Sequence, residues 1–276
     1  MAEAVRAGRW NGLWPAAPAL ALLFCFFLFP VARMLGFSVE SGSLEWYEKA
    51  LGQGLYLQVF WRTFEIAALV TAICLVIGYP LGFLLATTTP FWATLGFIFV
   101  LLPLWTSVLV RTYAWMVLLG RNGVVNRTLI DAGVITDPLP LLHNFTGVLI
   151  GMVHVLLPYM VLPIYGAVRR LDPSVVAAAQ GLGASSWRVF WRIYLPLTMN
   201  GIFAGGVIVF VLSLGFYITP ALLGGGRVIM IAVLIEQQVR ETLNWQFAAA
   251  LSAVLLAATF AVYALAQRFM RPEPAS

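Results

Sequence analysis

Residue types that make or break covalent bonds are sparse in this chain. Lys49 is the only lysine, and it follows Glu48 rather than standing in the G-x-x-x-x-G-K context of a phosphate-binding loop, so nucleotide hydrolysis by that route is excluded. His143 and His154 have no cysteine near them in sequence, which leaves no metal-ligand pattern. Neither G-x-S-x-G nor H-E-x-x-H occurs. The residues that do suggest chemistry suggest another kind. The run LPLWTSVLVRTYAWMVLLG, 102–120, sets Arg111 well inside an apolar segment among Trp105, Thr106, Ser107, Thr112, Tyr113 and Trp115. Such groups attract, repel or stack on a charged solute; they do not transform it.

A second polar stretch, 171–200, reads LDPSVVAAAQGLGASSWRVFWRIYLPLTMN. Asp172 suits a helix N-cap, Pro173 suits the first helical position, and no breaker follows until Leu182, which predicts a helix of about three turns. Gly183 sits where a left-handed residue closes a helix. Ser185 or Ser186 then caps a second short helix that Pro196 stops. The first arm carries Ala177, Ala178 and Ala179, a face bare enough for another backbone to come close. The second carries Trp187, Phe190, Trp191 and Tyr194 with Arg188 and Arg192, the composition of a helix lying at lipid headgroups. On its residues alone the stretch is a helix, a glycine elbow and a helix, or else an ordinary amphipathic hairpin between two spans.

The elements that must position both stretches are membrane spans. Hydrophobic residues make up 62% of the 276 and charged residues 10%, against about 45–50% and about 25% in soluble domains. Several charge-free runs exceed the ~20 residues a spanning helix needs. This is an integral membrane protein, and its net charge of +5 describes loop ends rather than a nucleic-acid surface. Hydropathy and turn residues predict spans at 14–36, 63–86, 91–119, 146–168, 201–223 and 245–267. A short acidic loop occupies 38–60, and 121–144 reads as an extramembrane cap. The first apolar run is too long for a signal-peptide core and lacks a cleavage site, so it is expected to remain as a span. Cys25 and Cys74 both fall in apolar runs, where a thiol is a small hydrophobe, and no disulfide is expected.

Orientation does not follow from charge. With the N-terminus inside, Lys and Arg divide equally between the two sides, and acidic residues weigh little in topology. Tryptophan is more informative: Trp10, Trp14, Trp46, Trp61, Trp92, Trp187, Trp191 and Trp245 fall near predicted span edges, as interfacial rings do. Trp105 and Trp115 do not.

Two resemblances follow from these residues. Ala178, Ala179, Gly183, Ile193, Leu195 and Pro196 fall on the spacing that bacterial ABC importer permeases write as E-A-A, three residues, G, nine residues, I-x-L-P; Ala177 stands where that family has Glu. Pro103, Trp105, Thr106, Ser107, Arg111, Thr112, Tyr113 and Trp115, followed by Asn122-Gly123 and Asn126, resemble the third span of the spermidine/putrescine-type branch. That likeness continues through LLPYMVLPIY at 156–165.

The resemblance implies an all-α, six-transmembrane-helix permease of the type I importer (MetI-like) kind, one domain over 1–276. Within it fall a cytoplasmic N-terminal segment 1–13, core spans within 60–268 and a cytoplasmic coupling loop 171–200. Ala177, Ala178, Ala179, Gly183, Ile193, Leu195 and Pro196 would then meet an ATP-hydrolysing partner. It further implies a bacterial inner-membrane location, a heterodimer with a second permease, two ATP-binding subunits that carry the ATP and Mg, and a periplasmic solute-binding protein. The chain itself would bind no cofactor and no nucleic acid; lipid and a small nitrogenous solute complete its partners.

Treated as one continuous helix, the third span places Trp105, Thr106, Thr112 and Tyr113 on one face and Ser107, Arg111 and Trp115 on the other. Arg111 and Trp115 are spaced for a cation–π pair. One reading is that Arg111 reaches toward headgroups while the aromatics pack; the other is that one face lines a translocation path. A polyamine path favours aromatic faces and carboxylates, for which Glu65 and Glu236 are the candidates; an anionic solute would make Arg111 the ligand. Pro158 and Pro163 are expected to kink the fourth span, and His154 to hydrogen-bond between helices rather than relay protons. A proton- or ion-coupled carrier and a membrane assembly factor without transport remain the alternatives from other classes.

Overall fold

The computed structural model describes residues 16–40, 42 and 44–269. The expected segment 1–13, the start of the first span at Trp14, and Arg6, Arg9, Trp10 and Arg271 lie outside them. Among the described residues the secondary structure is helical throughout, without a strand. Four helices are long and apolar enough to cross a membrane, and two bent pairs raise that to as many as six. The six-span expectation therefore stands at its coarse level, with breaks where unbroken spans were expected.

The chain divides into two compact units. One holds the described residues up to Gly54 together with Ile235–Val254. Here α1, Ala17–Phe37, buries no residue within the protein, as suits a helix bathed in lipid, and Phe24–Leu28 within it widens to a π turn. Ser38 Oγ at its end donates to Leu35 O, 2.6 Å, and lies 2.7 Å from Tyr47 OH of α2, Glu45–Gly52. The predicted acidic loop is thus largely helical. Hydropathy missed α2 because a polar helix has no apolar run to announce it. Lys49 Nζ sits over the Trp46 and Phe247 rings, 5.4 and 4.7 Å from their centroids.

The other unit runs Leu55–Leu234 and resumes at Leu255. Its helices begin with α3, Gly54–Thr87, nine residues before the predicted start: at 1.5 Å per residue, 34 residues reach about 50 Å, well beyond a ~30 Å hydrocarbon layer, so the polar first turns stand clear of it. Then come α4, Pro90–Trp105; α5, Val108–Leu119; α6, Val124–Asp131; and α7, Phe145–Arg169. The lever stretch forms α8, Pro173–Gly181, and α9, Ser186–Leu197. The predicted fifth span is two pieces, α10, Met199–Leu214, and α11, Ile218–Gly224, parted at Gly215. The last helices, α12, Ile231–Arg240, and α13, Trp245–Phe269, pass between the units.

Helix α7 is the axis of this unit, packed by α4, α5, α10 and α11. It runs unbroken through both Pro158 and Pro163. Met160, fully buried on it, is gripped from two sides: a Cβ built on Gly78 of α3 would fall 2.9 Å from its Cγ, and one on Gly205 of α10 2.9 Å from its Sδ. Only glycine lets both helices approach this closely, the usual device of helix association in lipid, where no hydrophobic force drives helices together. Asn126, fully buried in the expected cap, is satisfied by Gly120 O and both backbone groups of Leu139, and fixes that segment against the end of α5.

Candidate coupling lever and third-span cluster

The lever folds as its residues dictate. Asp172 Oδ1 accepts the backbone N–H of Ser174 at 2.8 Å, and that bond holds its carboxyl below the ordinary aspartate range. Gly183 has φ +82°, and the bonds Gly183 N to Gln180 O, 2.9 Å, and Ala184 N to Ala179 O, 3.0 Å, close α8 in a Schellman motif. Ala177 and Ala178 are exposed, and Leu182 at the elbow is 90% exposed. No residue of α8 is buried. Beneath it, a groove of about 260 Å³ is lined by Ala86, Thr87, Arg169, Ala177, Gln180 and Tyr194, so the position where the resembling family has Glu opens onto a recess beside an arginine.

The second arm ends at Leu197, one residue past Pro196, and contains a π turn at Phe190–Tyr194 that was not expected. The chain then bends by 59° into α10. Not all its aromatics lie outward. Trp187 and Trp191 are exposed, but Phe190 packs edge-on against Tyr79 and Phe83 of α3, at 5.8 and 5.6 Å between centroids, and Tyr194 against Phe83 at 4.9 Å. Tyr79 OH lies 3.1 Å from Thr198 Oγ1, both buried. Ile193 and Leu195 are half-buried, Pro196 exposed. Sequence reading missed Tyr79, Phe83 and Thr198; the four-residue spacing of Tyr79 with Phe83 and of Phe190 with Tyr194 was the available signal.

The third span is not one helix. The chain turns by 103° between α4 and the segment beginning at α5. Thr106 is extended, and its backbone N–H, at 3.4 Å, and its Oγ1, at 3.1 Å, both donate to Pro103 O. The two-faced wheel therefore does not apply across it. Trp105, 90% exposed, ends α4; Thr106 and Tyr113 are also exposed; Arg111 and Thr112 are buried and Trp115 is half-buried.

Two polar contacts tie α5 to its neighbours. Thr112 Oγ1 lies 3.2 Å from Thr219 Oγ1 of α11, and Trp115 Nε1 donates to His154 Nδ1 of α7 at 3.1 Å. The Arg111–Trp115 cation–π pair is absent from the cation–π contacts of the described residues, because the indole N–H turns to the imidazole instead. Arg111 is 9% exposed, and its Nε and Nη1 have no hydrogen-bond partner within the protein.

The two candidate counter-charges each have a basic partner on their own helix. Glu65 pairs with Arg62 at 2.8 Å one turn away on α3, and Glu236 with Arg240 at 3.2 Å on α12. No group of three or more possible metal ligands exists among the described residues.

Comparison with known proteins meets this geometry. The family model "Binding-protein-dependent transport system inner membrane component" matches residues 13–272, and the chain belongs to that family: it is the permease component of an ABC importer, a multi-pass inner-membrane protein whose ATP hydrolysis resides in separate subunits. It is 38% identical over 219 residues to the spermidine/putrescine transport system permease protein PotB of Haemophilus influenzae, covering 78% of this chain and 77% of that protein. To PotB of Escherichia coli strain K12 it is 36% identical over 201 residues, 73% of each. Among solved structures, a bacterial ABC transporter involved in the import of the acidic polysaccharide alginate superposes with TM-score 0.72, covering 95% of this chain and 96% of that one at 17% identity, which speaks for the fold alone.

Proposed function

We propose that this permease forms part of the path for a polyamine of the putrescine or spermidine kind and receives its power through α8 and α9. The observation that carries the power stroke is the exposed, capped α8 with its Gly183 elbow, lying between α7 and α10 on the family's loop spacing. Support for the solute comes from the identity to permeases named for spermidine and putrescine. In this reading both termini and the lever are cytoplasmic, and Ala177, Ala178, Ala179 and Gly183 present the face that an ATPase subunit grips. Ile193, Leu195 and Pro196 carry the push toward the spans. A second, different permease completes the pathway, two ATPase subunits hold ATP and Mg, and a periplasmic binding protein delivers the solute. Nucleotide at one end and loaded binding protein at the other bias two packings of the bundle.

Along the path, Trp105 and Tyr113 offer exposed aromatic faces to a cation, with Thr106 beside them. Thr112 and Trp115 act as latches to neighbouring helices. The test is uptake of radiolabelled putrescine and spermidine into vesicles holding the whole complex. Accumulation with ATP, lost on depletion, supports the reading; uptake that survives depletion and collapses with the proton gradient returns it to a secondary carrier.

One observation favours a second solute class. Arg111 carries unpartnered, buried donors, and Trp115 already occupies the His154 acceptor, so a carboxylate admitted to this cluster would find donors there. Competition by amino-acid derivatives stronger than by polyamines would select that class.

A further inference from the structure

Helix α8 buries nothing, so its own packing cannot make it move the spans. It joins α7 covalently through Arg170 and Leu171, whose backbone N–H groups bond Gly166 O and Val168 O, and these bonds reach α7 alone among the spans it must move. Rigid attachment must come from elsewhere, and the second arm supplies it. Val189 is buried, Phe190 and Tyr194 close on Phe83 from two sides, Tyr79 backs Phe190, and the Tyr79–Thr198 hydrogen bond ties the same point to the root of α10. Phe190 and Tyr194, four residues apart, share one side of the helix, and both rings reach Phe83. Farther along α3, Gly78 lets that helix pack closely against Met160 of α7, so α3 carries a displacement of Phe83 to the axis of the bundle.

We propose that Phe83, Phe190 and Tyr194, locked by the Tyr79–Thr198 bond, are the positioning residues through which the lever drives α3 and α7. This rests on the reading of 171–200 as the ATPase-facing lever and adds the joint to it. The groove beside Ala177 lacks the family's carboxylate, and the aromatic joint is the attachment that remains on this side of the loop.

The test uses the assembled complex in vesicles, with ATP hydrolysis, its stimulation by the binding protein, and putrescine and spermidine uptake measured together. Phe83→Ala is expected to keep basal hydrolysis within about twofold of wild type while stimulation and uptake per ATP fall by about fivefold or more. Phe83→Tyr keeps the ring and restores coupling. Tyr79→Phe keeps the packing, loses one hydrogen bond, and lowers uptake per ATP by about twofold; it decides the matter if Phe83→Ala does not assemble. Wild-type coupling in Phe83→Ala, or hydrolysis and uptake falling in proportion, overturns the joint. Gly183→Asp is run beside it: if that variant uncouples and Phe83→Ala does not, only the joint fails, and if neither uncouples, the lever reading fails with it. Should the wild type accumulate neither polyamine, stimulation of hydrolysis carries the comparison.

Discussion

The lever and the third span are both polar interruptions in an oily chain, yet they obey different rules. The lever's first arm is built from local bonds. Asp172 meets an N–H two residues away, Gly183 closes on Gln180, and Ala184 closes on Ala179. The third span is built from bonds between distant segments: Thr112 finds Thr219, Trp115 finds His154, and Arg111 is buried with its Nε and Nη1 unpartnered within the protein. In the proposed reading the lever works outside the membrane, where an element can close its own hydrogen bonds and offer a bare surface. One inside must borrow partners from other helices, because lipid supplies none.

The largest expected effect comes from breaking the lever's elbow. Gly183→Asp forces a side chain into φ +82°, a conformation costing about 1–2 kcal/mol for L residues, and places a charge on the docking face. Uptake should fall to background while the chain still inserts, as judged by membrane fractionation; wild-type uptake would sink the elbow's role. Next comes Arg111→Gln. Removing a buried charge with open donors should change solute preference more than assembly, by about tenfold in the ratio of polyamine to carboxylate-bearing competitor, if Arg111 faces the path. An unchanged ratio with reduced complex yield would return Arg111 to packing. Trp115→Phe keeps the ring and loses the bond to His154, worth about 1 kcal/mol; faster hydrogen exchange in α5 and α7 with normal lever exchange would sharpen the contrast between the regions.

The smallest effect lies in the lever's cap. Asp172→Asn should be nearly silent, because Asn caps as well, while Asp172→Ala should fray α8, seen as faster exchange at Ser174 and Val175. The sign of its pH dependence follows from the lowered carboxyl. Its contribution is complete above the ordinary aspartate value of about 3.9 and lost as pH falls through the lower folded value. Protection of the lever amides, corrected for the intrinsic pH dependence of exchange, should therefore not change between about pH 5 and 8.

Legibility followed the same division. Asp172, Pro173, Gly183 and the alanine face could be placed from spacing alone, since each acts within a few residues of itself. The break after Trp105 could not, although Pro103 followed by Thr106 was a hint. A proline inside a membrane helix often passes without a break, as Pro158 and Pro163 do in α7. Phe190 and Tyr194 were assigned to the headgroups because an aromatic ring reads the same in sequence whether lipid or another ring covers it.

By itself, then, the sequence determined that the chain lives in a membrane, that it lacks machinery for nucleotide hydrolysis of the P-loop kind, and that a capped helix with a glycine hinge sits between two apolar segments. Tertiary structure alone decided that the third span turns by 103°, that His154 serves Trp115, and that Phe83 holds the second arm of the lever. The reason is range: hydropathy and capping act over one or two helical turns, whereas which ring meets which across helices depends on how closely backbones approach, and that is set where Gly78 and Gly205 close on Met160.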